Sequence, residues 1–248
     1  MKFPARGSIL LLVVVWVLLA LTGCAFRNQI IPTPMPFPTL TPQPIATLAP
    51  SKTPRLPTAV ATITRTPEPV GCQKPGDDTT RVKVNGVMLN QRTLEMLKNA
   101  QKIYGGEIEI TGWAIIQGSY QDVPHESFGT HAGGGAVDLS VMRKDSYTIL
   151  KNDIEPLVHA LRVAGFAAWY RDSSEIPPNA LVHIHAIAIG DHELSLPAQD
   201  QLTGKFGYFL GYTGLAQPDG NPRPDHSGGP VMCQWMIDLG YSNQSLVH

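Results

Sequence analysis

Four residues in the middle of the chain could do chemistry together: His131, Asp138, His183 and His185. His131 stands in a run reading Gly-Thr-His-Ala-Gly-Gly-Gly from 129 to 135, where missing side chains let backbone and ligand come close. Asp138 projects from the short apolar strand that follows. A later strand, 183–189, begins His-Ile-His, and residues two apart on a strand point to the same face. Only one of that pair need bind a metal. Imidazole and carboxylate are ligands that zinc accepts, and three protein ligands leave a fourth position open to water, which is the catalytic arrangement. His131, Asp138 and His185 fit that count. His183, beside the open position, is then free to move a proton or to stabilise charge on the reacting oxygen. Taken singly, each residue has a plainer reading: a flexible glycine turn, a surface histidine, two satisfied strand histidines. Four suitable side chains in this order and spacing favour the site.

The elements that must position them can be read from local patterns. The residues 81–84 and 87–89 flank Asn85-Gly86, a pair that accepts the positive φ angles of a tight hairpin. Within 91–104, Leu94, Leu97, Ala100 and Tyr104 recur at helical spacing, with Asn90 as cap and Gly105 as stop. Strands are expected over 107–111 and 113–117, broken at Gly112. The polar stretch 120–128 reads as a loop at the site mouth, where Tyr120 or His125 could meet a substrate. A helix is expected from near Asp153 to Gly165, with Pro156 in its first turn. A strand follows at 166–170, then a loop over 172–180, the His183 strand, and a short helix within 199–211. His159 reads as a surface residue, and Asp225 and His226 as solvent-facing residues of a Gly/Pro-rich loop. The product is an α+β domain with a mainly antiparallel sheet and flanking helices.

At the site residues a family resemblance appears. The pattern His131-x-x-Gly134-x-Ala136-x-Asp138, followed by His183-x-His185, resembles the D-Ala-D-Ala carboxypeptidase-like zinc peptidases, which share a core with lysostaphin-type endopeptidases and the hedgehog domain. The similarity runs over about 82–216 and takes in Gln-Gly-Ser-Tyr at 117–120 and Gly-Phe-Ala-Ala-Trp at 165–169. It implies a single zinc peptidase-like domain, zinc held by His131, Asp138 and His185, and metal-activated water attacking a peptide carbonyl of the cell wall. Two departures limit it. Where many of these carboxypeptidases place a catalytic Glu, three residues before the last zinc histidine, this chain has Val182. His183 is the natural substitute and Glu175 a weaker one. The family's substrate-orienting arginine, found in a Ser-Gly-Tyr-Arg type segment, is also missing: Gln117, Gly118, Ser119 and Tyr120 stand there, so Gln117, Ser119 and Tyr120 become candidate substrate contacts, with Arg171 as a replacement cation.

The rest of the chain says where such a site would work. Lys2 and Arg6 precede an apolar run over 9–21, the length of an export-signal core and short for a spanning helix. The run ends in Leu21-Thr22-Gly23-Cys24, which resembles the bacterial lipobox. The implied layout is a signal peptide over 1–23, a mature N-terminus at Cys24 lipidated and held at a membrane, and a tether over 24–71. Prolines alternate there with threonine, leucine and alanine, a composition that builds no core and reads as a semi-rigid polyproline-like spacer. About forty such residues at roughly 3.1 Å each reach on the order of 100 Å, enough to place a domain in peptidoglycan.

The domain occupies 72–248, with its core over 82–216 and a loop-rich extension over 217–248. With Cys24 lipidated, the remaining cysteines of the chain's three are Cys72 and Cys233. In an oxidising compartment two cysteines at a domain's edges favour a disulfide, and two free buried thiols are the other arrangement. A net charge of −1 without a basic run argues against a nucleic-acid partner. The expectation is a monomeric, extracytoplasmic, lipid-anchored zinc peptidase acting on peptidoglycan peptides. Its rival is a non-catalytic zinc-containing wall-binding module, prompted by the absent Glu and arginine. A serine hydrolase is disfavoured by the lack of a Gly-x-Ser-x-Gly context.

Overall fold

A computed structural model describes residues 67–121, 128–178 and 180–245. The expected export signal, the expected lipidation site Cys24, most of the expected tether and His125 lie outside the described residues. Strands β1 (Arg81–Val84) and β2 (Val87–Asn90) form an antiparallel hairpin whose turn places Asn85 at φ 48° and Gly86 at φ 85°. Helix α1 (Gln91–Tyr104) starts where the Asn90 side chain accepts from Thr93 N and stops at left-handed Gly105, whose N–H returns to the Gln101 carbonyl. Its buried face centres on Met96, Leu97 and Ala100, so Leu94 and Tyr104 sit at the margin.

No strand forms over 107–114, contrary to the sequence expectation. Ile108 and Ile110 are fully buried and Glu107 and Glu109 exposed, so the alternation is real. The backbone satisfies itself differently: Ile110 N donates to the Gln101 side chain, and Gly112 N and Ala114 N turn back to the Glu109 carbonyl. A period of two records which side chains are buried, not whether a neighbouring strand pairs with them.

The main sheet has four antiparallel strands in the order β3-β4-β6-β5: β3 (Ile115–Gln117), β4 (Ala136–Ser140), β5 (Phe166–Arg171) and β6 (His183–Ala188). With its antiparallel sheets and few helices the fold is mixed α and β and not a closed barrel. One face of the sheet, through Leu139, Ile184, Ala186 and Phe166, joins the larger core with Leu97 of α1 and Leu157 and Leu161 of α2 (Lys151–Val163). Burying each leucine, isoleucine or phenylalanine side chain among them contributes about 1.5–3 kcal/mol relative to exposure. Helix α2 begins two residues earlier than the sequence suggests, which puts Pro156 in its second turn, where it forgoes one helical hydrogen bond.

The opposite face is covered over only part of its length. Ala167, Trp169 and Ile187 pack there on α3 (Leu196–Thr203), on a 3-10 turn (Tyr208–Leu210) and on α4 (Gln234–Asp238). The expected helix within 199–211 is thus two pieces. Ser195 caps α3 by accepting from Ala198 N, and an extended Gly204 ends it. The segment after 217 is also less loose than its composition suggests. Cys233, Trp235 and Met236 belong to this second core, and a disulfide joins Cys72 to Cys233.

The Asp225 side chain is buried, not solvent-facing as the sequence suggested, because its partner is Arg162, 63 residues earlier, at 2.6 Å. The same guanidinium donates to the carbonyls of Ala168, Ser227 and Gly229. His226 and His159 are exposed. Among the described residues no helix is long and apolar enough to cross a membrane.

Candidate metal centre

Strand register builds most of the site. Gln117 pairs with Asp138, Asp138 with His185 and His185 with Trp169, so one rung crosses all four strands. The neighbouring rung on the same face holds Ser140, His183 and Arg171. The uncovered part of that face therefore carries a carboxylate, two imidazoles and a guanidinium.

His131 arrives from outside the ladder, on a 3-10 turn (Thr130–Ala132) that the glycine run brings over β4. The run is a packed structure. A side chain at Gly133 would meet the Glu193 carbonyl at 2.2 Å, and Gly135 is left-handed at φ 77° with Leu194 at 2.8 Å from its missing Cβ. Gly134 N donates to the Glu193 carbonyl and Ser195 Oγ to the Thr130 carbonyl, so the 191–195 segment holds the loop from outside. Gly133→Ala should consequently destabilise the protein by about 2–3 kcal/mol in urea unfolding, the upper range for overpacking, while Gly76→Ala, with nothing within 4 Å, stays within about 0.5 kcal/mol. Equal midpoints for the two variants would refute this account of the loop.

His131, Asp138 and His185 are all buried, and their potential ligand atoms lie within 4.8 Å of one another. His185 Nδ1 is 2.7 Å and His131 Nε2 3.3 Å from Asp138 Oδ1. His131 Nδ1 donates to the Gly118 carbonyl at 2.8 Å, which fixes Nε2 as the nitrogen with the free lone pair. That Nε2 is buried without a hydrogen-bond partner among the described residues, as is His185 Nε2. An unpartnered His131 nitrogen and a His185 nitrogen facing one carboxylate oxygen, all buried, fit a cation of the kind nitrogen and oxygen ligands hold.

The charges agree. Burial raises the Asp138 pKa, but His131 and His185 outweigh it and hold the carboxyl well below the usual range. Burial pushes His185 down to about 4 against the pull of Asp138, so its ring is neutral, the form that binds metal. Burial also lowers His131, yet Asp138 leaves it above the ordinary value.

These residues line a cavity of about 480 Å³. His183 is on its wall: Nδ1 donates to the Leu181 carbonyl at 2.8 Å, and Nε2 faces Asp138 Oδ2 at 3.6 Å. Gln117, Arg171 and Glu175 also line it, and Ile116, Phe128 and Leu181 form an exposed apolar rim. Val182 packs against the larger core instead, so the position of the missing Glu does not serve the cavity here.

Ser119 and Tyr120 do not line it. Ser119 is fully buried and donates to the Ala136 carbonyl. Tyr120, at φ 61°, donates to Glu193 under the Arg81 guanidinium, and burial with that carboxylate pushes its pKa up to about 12. Both residues brace the glycine run from behind, because β2 and the 191–195 segment close over them.

Sequence reasoning missed Glu193, Asn90 as a donor to Asp191 at 2.7 Å, and Gln201 on the cavity wall. Asn90 was visible only as a helix cap, and its second bond spans 101 residues. Comparison with protein-family models, with curated proteins and with solved structures finds no match to this chain.

Proposed function

We propose that the chain is a lipid-anchored, extracytoplasmic zinc metallopeptidase that hydrolyses amide bonds in peptidoglycan peptides. One observation carries the reading: three buried ligand-type side chains share a cavity with a fourth, His183, whose free nitrogen faces the same carboxylate. The motif resemblance and the lipobox-and-tether layout supply the substrate and the place. His131, Asp138 and His185 would hold the ion, which supplies Lewis acidity and makes water nucleophilic near neutral pH. His183 Nε2 takes the proton of the attacking water and passes it to the departing amine nitrogen as the C–N bond breaks. Its tautomer is already set by the Leu181 carbonyl. Gln117, across the rung from Asp138, offers an amide to the substrate backbone.

His183→Ala should keep zinc at the unmutated content and lower turnover of purified peptidoglycan by about 10²–10⁴-fold, the usual worth of a positioned acid–base group. Fragment release by mass spectrometry and metal content by emission spectrometry read the two separately. Zinc bound with no fragment released by the unmutated protein would point to a wall-binding module instead.

A further inference from the structure

A second cavity, of about 440 Å³, shares no lining residue with the metal centre. Helix α3 divides the two. Its Gln201 lines the metal cavity, whereas Gln199, Leu202 and Thr203, three and four positions apart, share the face that lines the other. The opposite wall comes from the segment 190–192 and from Leu239 and Tyr241, at and just past the end of α4. The volume is that of a small-molecule site, and the hydrolytic step makes no use of it.

The polar groups of this cavity are fixed by the fold. Asp191, 4% exposed, accepts from Asn90 Nδ2 on one oxygen at 2.7 Å and from Glu193 N on the other at 2.9 Å, which leaves each oxygen a lone pair for a ligand. The Tyr241 ring stacks on Phe209 at 4.7 Å, and the Gly190 backbone N–H bonds to its oxygen, so the phenol O–H is left to donate. Burial raises the Tyr241 pKa and so keeps that proton in place. Gln199 spends its amide nitrogen on the Leu194 carbonyl at 3.0 Å and keeps its oxygen as an acceptor.

The lining disfavours charged ligands. Asp191 is the one carboxylate among the lining residues, and no lysine or arginine joins it there. Its charge is answered from behind by Arg92, 2% exposed, whose Nη2 donates to the Ile189 carbonyl beside Gly190. An anion would meet Asp191 with no cation on the wall, and a cation would find that carboxylate already countered. A hydroxyl both donates and accepts, which suits Asp191 and Tyr241 together. A short apolar group suits Leu202 and the half-exposed Leu239.

Resting on the cell-wall reading for the identity of the polymer, we propose that this cavity binds an N-acetylated amino sugar of the glycan strand. Ring hydroxyls donate to Asp191 and accept from Tyr241, and the acetamido methyl packs on Leu202 and Leu239. The glycan is then held on one side of α3 while peptide is cut on the other.

The test uses the whole protein, with and without zinc, and titrates it by calorimetry with the chitin trimer, three linked N-acetylglucosamines, and with cellotriose, which bears hydroxyls in place of the acetamido groups. The chitin trimer is expected to bind about 10- to 50-fold more tightly, the worth of one buried methyl and one hydrogen bond, and to do so equally in both metal states. Tyr241→Phe removes one donor and should weaken it about 3- to 10-fold. Thr203→Trp, at an exposed position, fills the mouth and should abolish detectable binding with the urea midpoint unchanged. Equal binding of the two trimers, or an affinity unmoved by both substitutions, overturns the proposal. Affinity that disappears with zinc places the sugar at the metal centre and overturns it too. Fragment release from peptidoglycan by a protein that fails to bind the chitin trimer would sink the sugar site and keep the peptidase. Zinc-independent, Tyr241-dependent binding with no fragment released would keep the sugar site and sink the peptidase.

Discussion

Asp138→Asn should lower zinc affinity by more than about 100-fold in a chelator competition while leaving the metal-free fold intact. The change is isosteric, so the rung from Gln117 to Trp169 keeps its packing, but it removes the one carboxylate among the described residues that His131, His183 and His185 share. A neutral amide is a poor ligand for this ion, and a dication held by neutral imidazoles loses the one negative charge that offsets its burial. Substitutions that merely orient a ligand cost about 10–100-fold in metal affinity, so loss of a ligand should exceed that range. Tyr120→Phe supplies the comparison, because Tyr120 acts through the glycine run and should fall within it. Unchanged zinc affinity in Asp138→Asn would mean that the buried cluster is not the metal centre.

Reduction of the Cys72–Cys233 bond, or Cys233→Ser, should produce the largest loss of stability. The bond spans 161 residues, and the chain-entropy estimate for a loop of that length is about 5 kcal/mol, against a typical total of about 5–15 kcal/mol. The native side adds to this. Cys233 is fully buried, Gln234 N donates to Glu68, and the Gly71 carbonyl accepts from Asn99, so the bond pins the start of the described chain and α4 to the same body. Urea unfolding with and without reductant measures it. A midpoint indifferent to reductant would show that the two cysteines are free thiols in the purified protein.

What could be read from the sequence was what is local. Asn85-Gly86, the Asn90 cap and the Gly105 stop act within four residues, and the hairpin and α1 lie where they were expected. Gathering of His131, Asp138 and His185 was legible because these residue types are uncommon on apolar strands, and strand periodicity aims His183 and His185 to one face. Apart from helix ends and the break at Gly204, the errors are non-local. Ile108 and Ile110 alternate like a strand but meet a helix side chain, and Asp225 looked solvated because Arg162 is distant in sequence. Ser119 and Tyr120 were polar residues beside the site, and nothing local shows that 191–195 seals them off. The same blindness hid Gln201, which reaches the cavity from an element read only as a short helix.

The buried Arg162 also decides where the protein can be cut. Its side chain is 1% exposed and bridges the sheet, through the Ala168 carbonyl, to Asp225, Ser227 and Gly229. Ending the chain after the family-like stretch at 216 would strand a guanidinium in an apolar wall and strip Trp235 and Met236 from the second core. The last thirty or so residues are therefore structural masonry rather than an appendage, and any dissection of this protein into a minimal unit has to carry them along.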